Sequence, residues 1–177
     1  MASSGSGGKA SDRKAADGKD LPQVEVYTRG CALELDEGGQ GAQVGGYAAV
    51  LVCGETSEVA SGAWPSATNN AMELWAVIAG LRCLEERSRV TVYTPSKYVL
   101  HGATQWLPAW RERGWQTRGG KLVKNKKLWE ELGRAVDAHA VTWRFLPQDE
   151  RVGYSQAAAQ AARLEAEKVK EEKGQSE

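Results

Sequence analysis

Apolar and polar positions alternate over Val24-Glu25-Val26-Tyr27, with β-branched residues on the apolar beats, and this period of two predicts a strand. A polar, Gly-rich stretch from Asp36 to Gly46 predicts a loop. Gly46 to Cys53 predicts a second strand and Glu58 to Trp64 a third, joined through Gly54-Glu55-Thr56 as an antiparallel hairpin. The period then changes. Leu74, Val77, Ile78, Leu81 and Leu84 fall on one helical face, which predicts a helix from Asn70 to Glu86 with Asn69 or Asn70 as its cap.

Arg89 to Thr94 predicts a fourth strand. It follows a helix, so a parallel crossover onto the first strand is expected. Ser96 is placed to cap a helix from Lys97 to about Thr104, and a short helix with Trp106 and Trp110 lies between Gln105 and Trp115. A basic, Gly-containing loop (Thr117 to Asn125), a helix (Lys126 to Ala138), a strand (Val141 to Leu146) and an Ala-rich helix (Val152 to Glu172) complete the order. Three strands, helix, strand, helices, strand, helix is the order of an α/β layer fold around a five-stranded mixed sheet with helices on both faces.

Composition narrows the function classes. A chain of 177 residues, 41% of them hydrophobic, suggests one domain. The expected division is a disordered tail over residues 1–22, a domain over 23–163, and a charged tail over 164–177 that is helical or disordered. Net charge is zero, so any affinity for nucleic acid must come from a local patch. Cys31, Cys53 and Cys83 are widely spaced with no C-x-x-C, which argues against zinc or disulfides and for a reducing compartment. No apolar run reaches about 18 residues, and the acid-containing N-terminus lacks the apolar core of a secretory signal. These features together suggest a cytoplasmic or other intracellular, reducing location without membrane contact.

Such a local patch is present. Arg111, Arg113, Arg118, Lys121, Lys124, Lys126 and Lys127 crowd one stretch with Glu112 as its single acid, interleaved with Trp106, Trp110 and Trp115. Cations between aromatic surfaces suit phosphate contact and base packing. The same Trp residues also suit helix packing, and the charges a solvated face. Trp129 and Trp143 have apolar neighbours and are expected in the core.

In this order and spacing, the motifs resemble the ribonuclease HI family. Val24 to Thr28 with Gly30, Gly45 to Leu51, Thr68-Asn69-Asn70 with Met72-Glu73-Leu74, Thr91 to Thr94, Ser96 to Val99, and the Trp- and Lys-bearing segment through Trp129 carry the resemblance. It implies a protrusion that grips the DNA strand of an RNA–DNA hybrid, with Asn69, Asn70, Lys97, Trp106, Trp110, Arg113, Trp115, Lys121, Lys124, Asn125 and Lys126 as nucleic-acid contacts.

The resemblance also implies two divalent ions held by four acidic positions. Here those positions are Arg29, Glu73, Pro95 and about Gly153, and the loop from Leu146 to Arg151 is short and lacks His. One carboxylate does not hold two Mg²⁺ ions, and a guanidinium repels them. The resulting expectation is a degenerate site without Mg²⁺, in which Arg29 pairs with Glu73 or else faces solvent. The protein is then expected to bind RNA–DNA hybrid or structured RNA without cutting it. Two alternatives remain: a structural subunit of a protein or ribonucleoprotein assembly, and a working nuclease whose ligands are relocated to Asp36, Glu37, Asp149 or Glu150.

Overall fold

The computed structural model describes residues 21–35, 43–150 and 153–175. The expected N-terminal tail (save residues 21 and 22), most of the 36–46 loop with Asp36 and Glu37, and the link through Arg151 and Val152 lie outside the described residues.

Strands β1 (Gln23–Glu34), β2 (Gln43–Cys53), β3 (Thr56–Trp64), β4 (Arg89–Thr94) and β5 (Ala140–Phe145) form one sheet in the order β3-β2-β1-β4-β5. β1 pairs antiparallel with β2 and parallel with β4, β2 pairs antiparallel with β3, and β4 pairs parallel with β5. The expected five-stranded mixed sheet and the crossover are present. As the central strand, β1 is covered on both faces. Val24 and Val26 pack with Leu74, Ile78 and Leu81 of α1 (Asn69–Arg82), backed by Trp129 and Leu132 of α4 (Lys126–Asp137). Tyr27 turns the other way, joining Val50, Val52 and Ala158 under α5 (Gly153–Gly174). Successive side chains of a strand point to opposite faces, so this alternation follows from β1's own sequence.

Two glycines let the helices come close. A Cβ on Gly30 would collide with the α1 backbone at Met72 and Glu73, and one on Gly46 would collide with the α5 backbone at Ala162. The first approach sets Glu73 directly against β1.

Several boundaries differ from the expected ones, each for a local reason. The cap of α1 is Thr68, whose side chain accepts from the Ala71 N–H, and neither Asn69 nor Asn70 takes that place. α1 ends at Arg82, four residues early. The Leu84 N–H turns back to the Leu81 carbonyl, three residues away, and Glu85 and Glu86 oppose the negative end of the helix dipole. The expected helix to Thr104 is split: α2 (Lys97–His101) passes into a π-helical turn (Gly102–Trp106) and then α3 (Leu107–Glu112). Pro108 has no N–H to give the Thr104 carbonyl, and Gly102 sits so close to the Trp129 indole that a Cβ there would clash. Ser96 caps α2 as expected, accepting from Val99 N–H at 3.2 Å.

Candidate functional site

The four positions where the family's acids are expected converge on one end of the sheet: Arg29 in β1, Glu73 in the first turns of α1, Pro95 just after β4, and Gly153 at the start of α5. Arg29 is 7% exposed and Glu73 1% exposed. The Arg29 Nη2 donates to Ser155 Oγ at 2.5 Å. Arg29 therefore does not face solvent, which corrects that expectation; it makes no direct ion pair with Glu73 within 4.0 Å, but the two charges act on each other at longer range. The reason is the strand alternation. Arg29 leaves β1 on the α5 face, with Tyr27, while α1 lies on the opposite face. Arg29 Nε and Glu73 Oε2 are both buried without a hydrogen-bond partner.

These environments shift the charges. Burial pushes the Glu73 carboxyl up from 4.5 to about 8, against the opposing pull of the Gly30 N–H and the Arg29 charge. Burial lowers the Arg29 pKa, and the Glu73 charge partly restores it. A Mg²⁺ ion does not fit this set. Glu73 offers one free oxygen, but Arg29 brings positive charge, Pro95 and Gly153 bring no ligand, and no group of three or more His, Cys, Asp or Glu gathers among the described residues. Asp149 and Glu150 are exposed on the loop before α5 and belong to no such group.

The second region is the protrusion between α2 and α4. Its base is a ladder of rings. Trp129 is fully buried and donates from Nε1 to Tyr98 OH at 3.0 Å, Trp110 packs edge-on to Trp129 at 5.3 Å, and Trp106 lies against Trp110 at 5.7 Å. Trp106, 38% exposed, is the outer rung. The ladder thus joins the packing and surface roles: Trp110 is largely packing, and Trp106 faces outward. Trp115 is half-buried against the core in a positive-φ conformation, its N–H bonded to the Trp110 carbonyl. Trp143 is half-buried against the same core.

Beyond the ladder the chain makes a tight turn closed by a Gln116–Leu122 bridge. Arg113, Arg118, Lys121, Lys124 and Lys127 stand exposed there, and none is held in an ion pair among the described residues. The other two expected cations are engaged: Arg111 grips Asp137 of α4 at 2.9 Å, and Lys126 pairs with Glu130 at 3.7 Å. Asn125 adopts the left-handed conformation ahead of α4 and donates to Tyr98 OH at 3.3 Å, so it braces the protrusion. Trp106, Trp110, Arg113 and Arg118 line a groove of ≈ 490 Å³. Asn69 and Asn70 are exposed beside Glu73, and Lys97 lies over the Phe145 ring, 5.6 Å from its centre.

Ser155 and Tyr98 escaped sequence reasoning. A Ser in the first turn after Gly153 and a Tyr directly after Lys97 were the available signals, but only the fold brings them to Arg29 and Trp129.

Among solved structures, LC9-RNase H1, a type 1 RNase H with the type 2 active-site motif, is 28% identical with a TM-score of 0.76, over 86% of this chain and 75% of that one. A foamy viral protease-reverse transcriptase in complex with RNA/DNA hybrid shares the fold at 20% identity and a TM-score of 0.72, over 82% of this chain and 20% of that one. The protein named Ribonuclease H from Bordetella pertussis is 42% identical over 127 residues, 72% of this chain and 78% of that protein. Its namesake from Xanthomonas campestris is 39% identical over 138 residues, 75% of this chain and 88% of that protein. Relatives of that name at this identity overturn two expectations from the sequence, a hybrid binder without catalysis and a protein without Mg²⁺. The RNase H family model matches residues 22–167, and the chain belongs to the ribonuclease H family.

Proposed function

We propose that this protein is a ribonuclease that engages RNA–DNA hybrid and hydrolyses its RNA strand. The observation that carries the reading is the 42% identity, across most of the domain, to a relative named Ribonuclease H. The surface supports it. Exposed Arg113, Arg118, Lys121, Lys124 and Lys127, unpaired among the described residues, suit one phosphate backbone, and Asn69 and Asn70 suit the other strand's minor-groove edge, where 2′-hydroxyls distinguish RNA. Trp106 offers an apolar face for sugar packing between them. Mg²⁺ belongs to this activity in the family, but the described residues do not form its cage. Three free cysteines support work in a reducing compartment, and no helix among the described residues is long and apolar enough to cross a membrane.

The test is a cleavage assay on end-labelled RNA in four forms: paired with DNA, paired with RNA, single-stranded and hairpin-folded, each with Mg²⁺ and with Mn²⁺. Cutting confined to the DNA-paired RNA is the expected result. Intact hybrid at micromolar protein with both ions contradicts the hydrolytic reading.

A further inference from the structure

Arg29 lines a cavity of ≈ 180 Å³ together with Gly30, Cys31, Gln148, Ala159 and Ala162. The volume is far above the ~10–15 Å³ that one water needs. Among the described residues no carboxylate lines it. The guanidinium spends its Nη2 on a neutral hydroxyl, Ser155, and among the described residues its buried Nε–H has no partner and no carboxylate lies within 4.0 Å, although the Glu73 charge acts on it from further off. A buried charge left this way is costly, and an oxyanion is the ligand that relieves it. The planar fork of Arg matches phosphate oxygens two at a time. On the α5 side the cavity is walled by Ala159 and Ala162, small side chains that leave room beside the guanidinium.

We infer that the Arg29 cavity is an anion site that seats a phosphate group, with Arg29 as its cationic anchor and Gln148 at its rim. The family resemblance implies a carboxylate at this position, and the chain has Arg29 there. The inference rests on the proposed function only for the source of the phosphate, which there is the nucleic-acid backbone.

The experiment titrates inorganic phosphate into the full chain at constant ionic strength and follows the Gly30 and Ser155 amide resonances. Saturable shifts are expected for the natural protein. They should weaken roughly tenfold or more in Arg29→Met and fall between the two in Arg29→Lys, with near-ultraviolet circular dichroism reporting the fold. Equal phosphate affinity in folded Arg29→Met or Arg29→Lys and the natural protein, or no saturation in the latter, overturns the site. If Arg29→Met also weakens hybrid binding, the phosphate is a backbone phosphate. If hybrid binding is unchanged, the site takes free phosphate. The phosphate titration does not depend on cleavage, so failure of the hydrolytic reading leaves it interpretable.

Discussion

At the protrusion, Arg113, Arg118, Lys121, Lys124 and Lys127 stand in water without carboxylate partners among the described residues, whereas at one end of the sheet Arg29 and Glu73 are buried. The same charged residue types obey different rules in the two places. Exposed cations cost little to keep and act through phosphates, so their effect should fade with salt. Buried groups are barely screened, so their effect should follow pH instead. The protrusion holds exposed cations around an outward-facing Trp106, and the other region holds a buried Arg29 beside a buried Glu73.

The largest test of this contrast is pH. Because the folded Glu73 pKa of about 8 lies above its ordinary value of 4.5, the folded state holds more protons between those values. Stability should therefore be highest below about pH 4.5 as far as this group is concerned, and fall through the window to about pH 8 by up to about 5 kcal/mol. Glu73→Gln should remove that fall. Urea denaturation at pH 5 and pH 8.5 measures it, and equal pH dependence in the two proteins would break the buried side of the comparison.

The ring ladder comes next. Trp129→Ala should cost about 3–5 kcal/mol by emptying the site between Gly102 and Trp110 and removing the indole hydrogen bond to Tyr98 OH, again by urea denaturation. A loss below about 1 kcal/mol would mean that the protrusion is not anchored there. A smaller effect is expected for Lys124→Ala with Lys127→Ala. Hybrid affinity should fall, and the slope of log affinity against log salt should become shallower by about two. Lys126→Ala should change the slope less, since Lys126 is paired to Glu130. Equal slopes for these variants and the natural protein would remove the exposed side of the comparison. The smallest effect is the cap: Thr68→Ala should cost about 1 kcal/mol, and Asn69→Ala much less.

Much of this fold was legible because its signals are periodic. Alternation in β1, the helical stripe of α1 and a strand following a helix were enough for the sheet and its parallel crossover. Competing signals were not resolvable. Thr68, Asn69 and Asn70 can all cap, and only the extended backbone at Thr68 selects among them. The exposed or engaged state of each cation was also hidden, because Arg111 and Lys126 carry the same charge in sequence as Lys124. Arg29 itself was plain in the sequence, but its hydrogen-bond partner Ser155 lies 126 residues away on α5. The expectation of lost catalysis weighed four positions. Identity of about 40% to proteins named Ribonuclease H weighs the whole domain.

The most direct measurement is a single time course. A hybrid with fluorescent RNA is mixed with excess protein and Mg²⁺, and anisotropy and product length are read from the same samples. A rise on binding, followed by a fall as short RNA products form, is the expected result. A stable high signal with full-length RNA, or no rise at all, contradicts it.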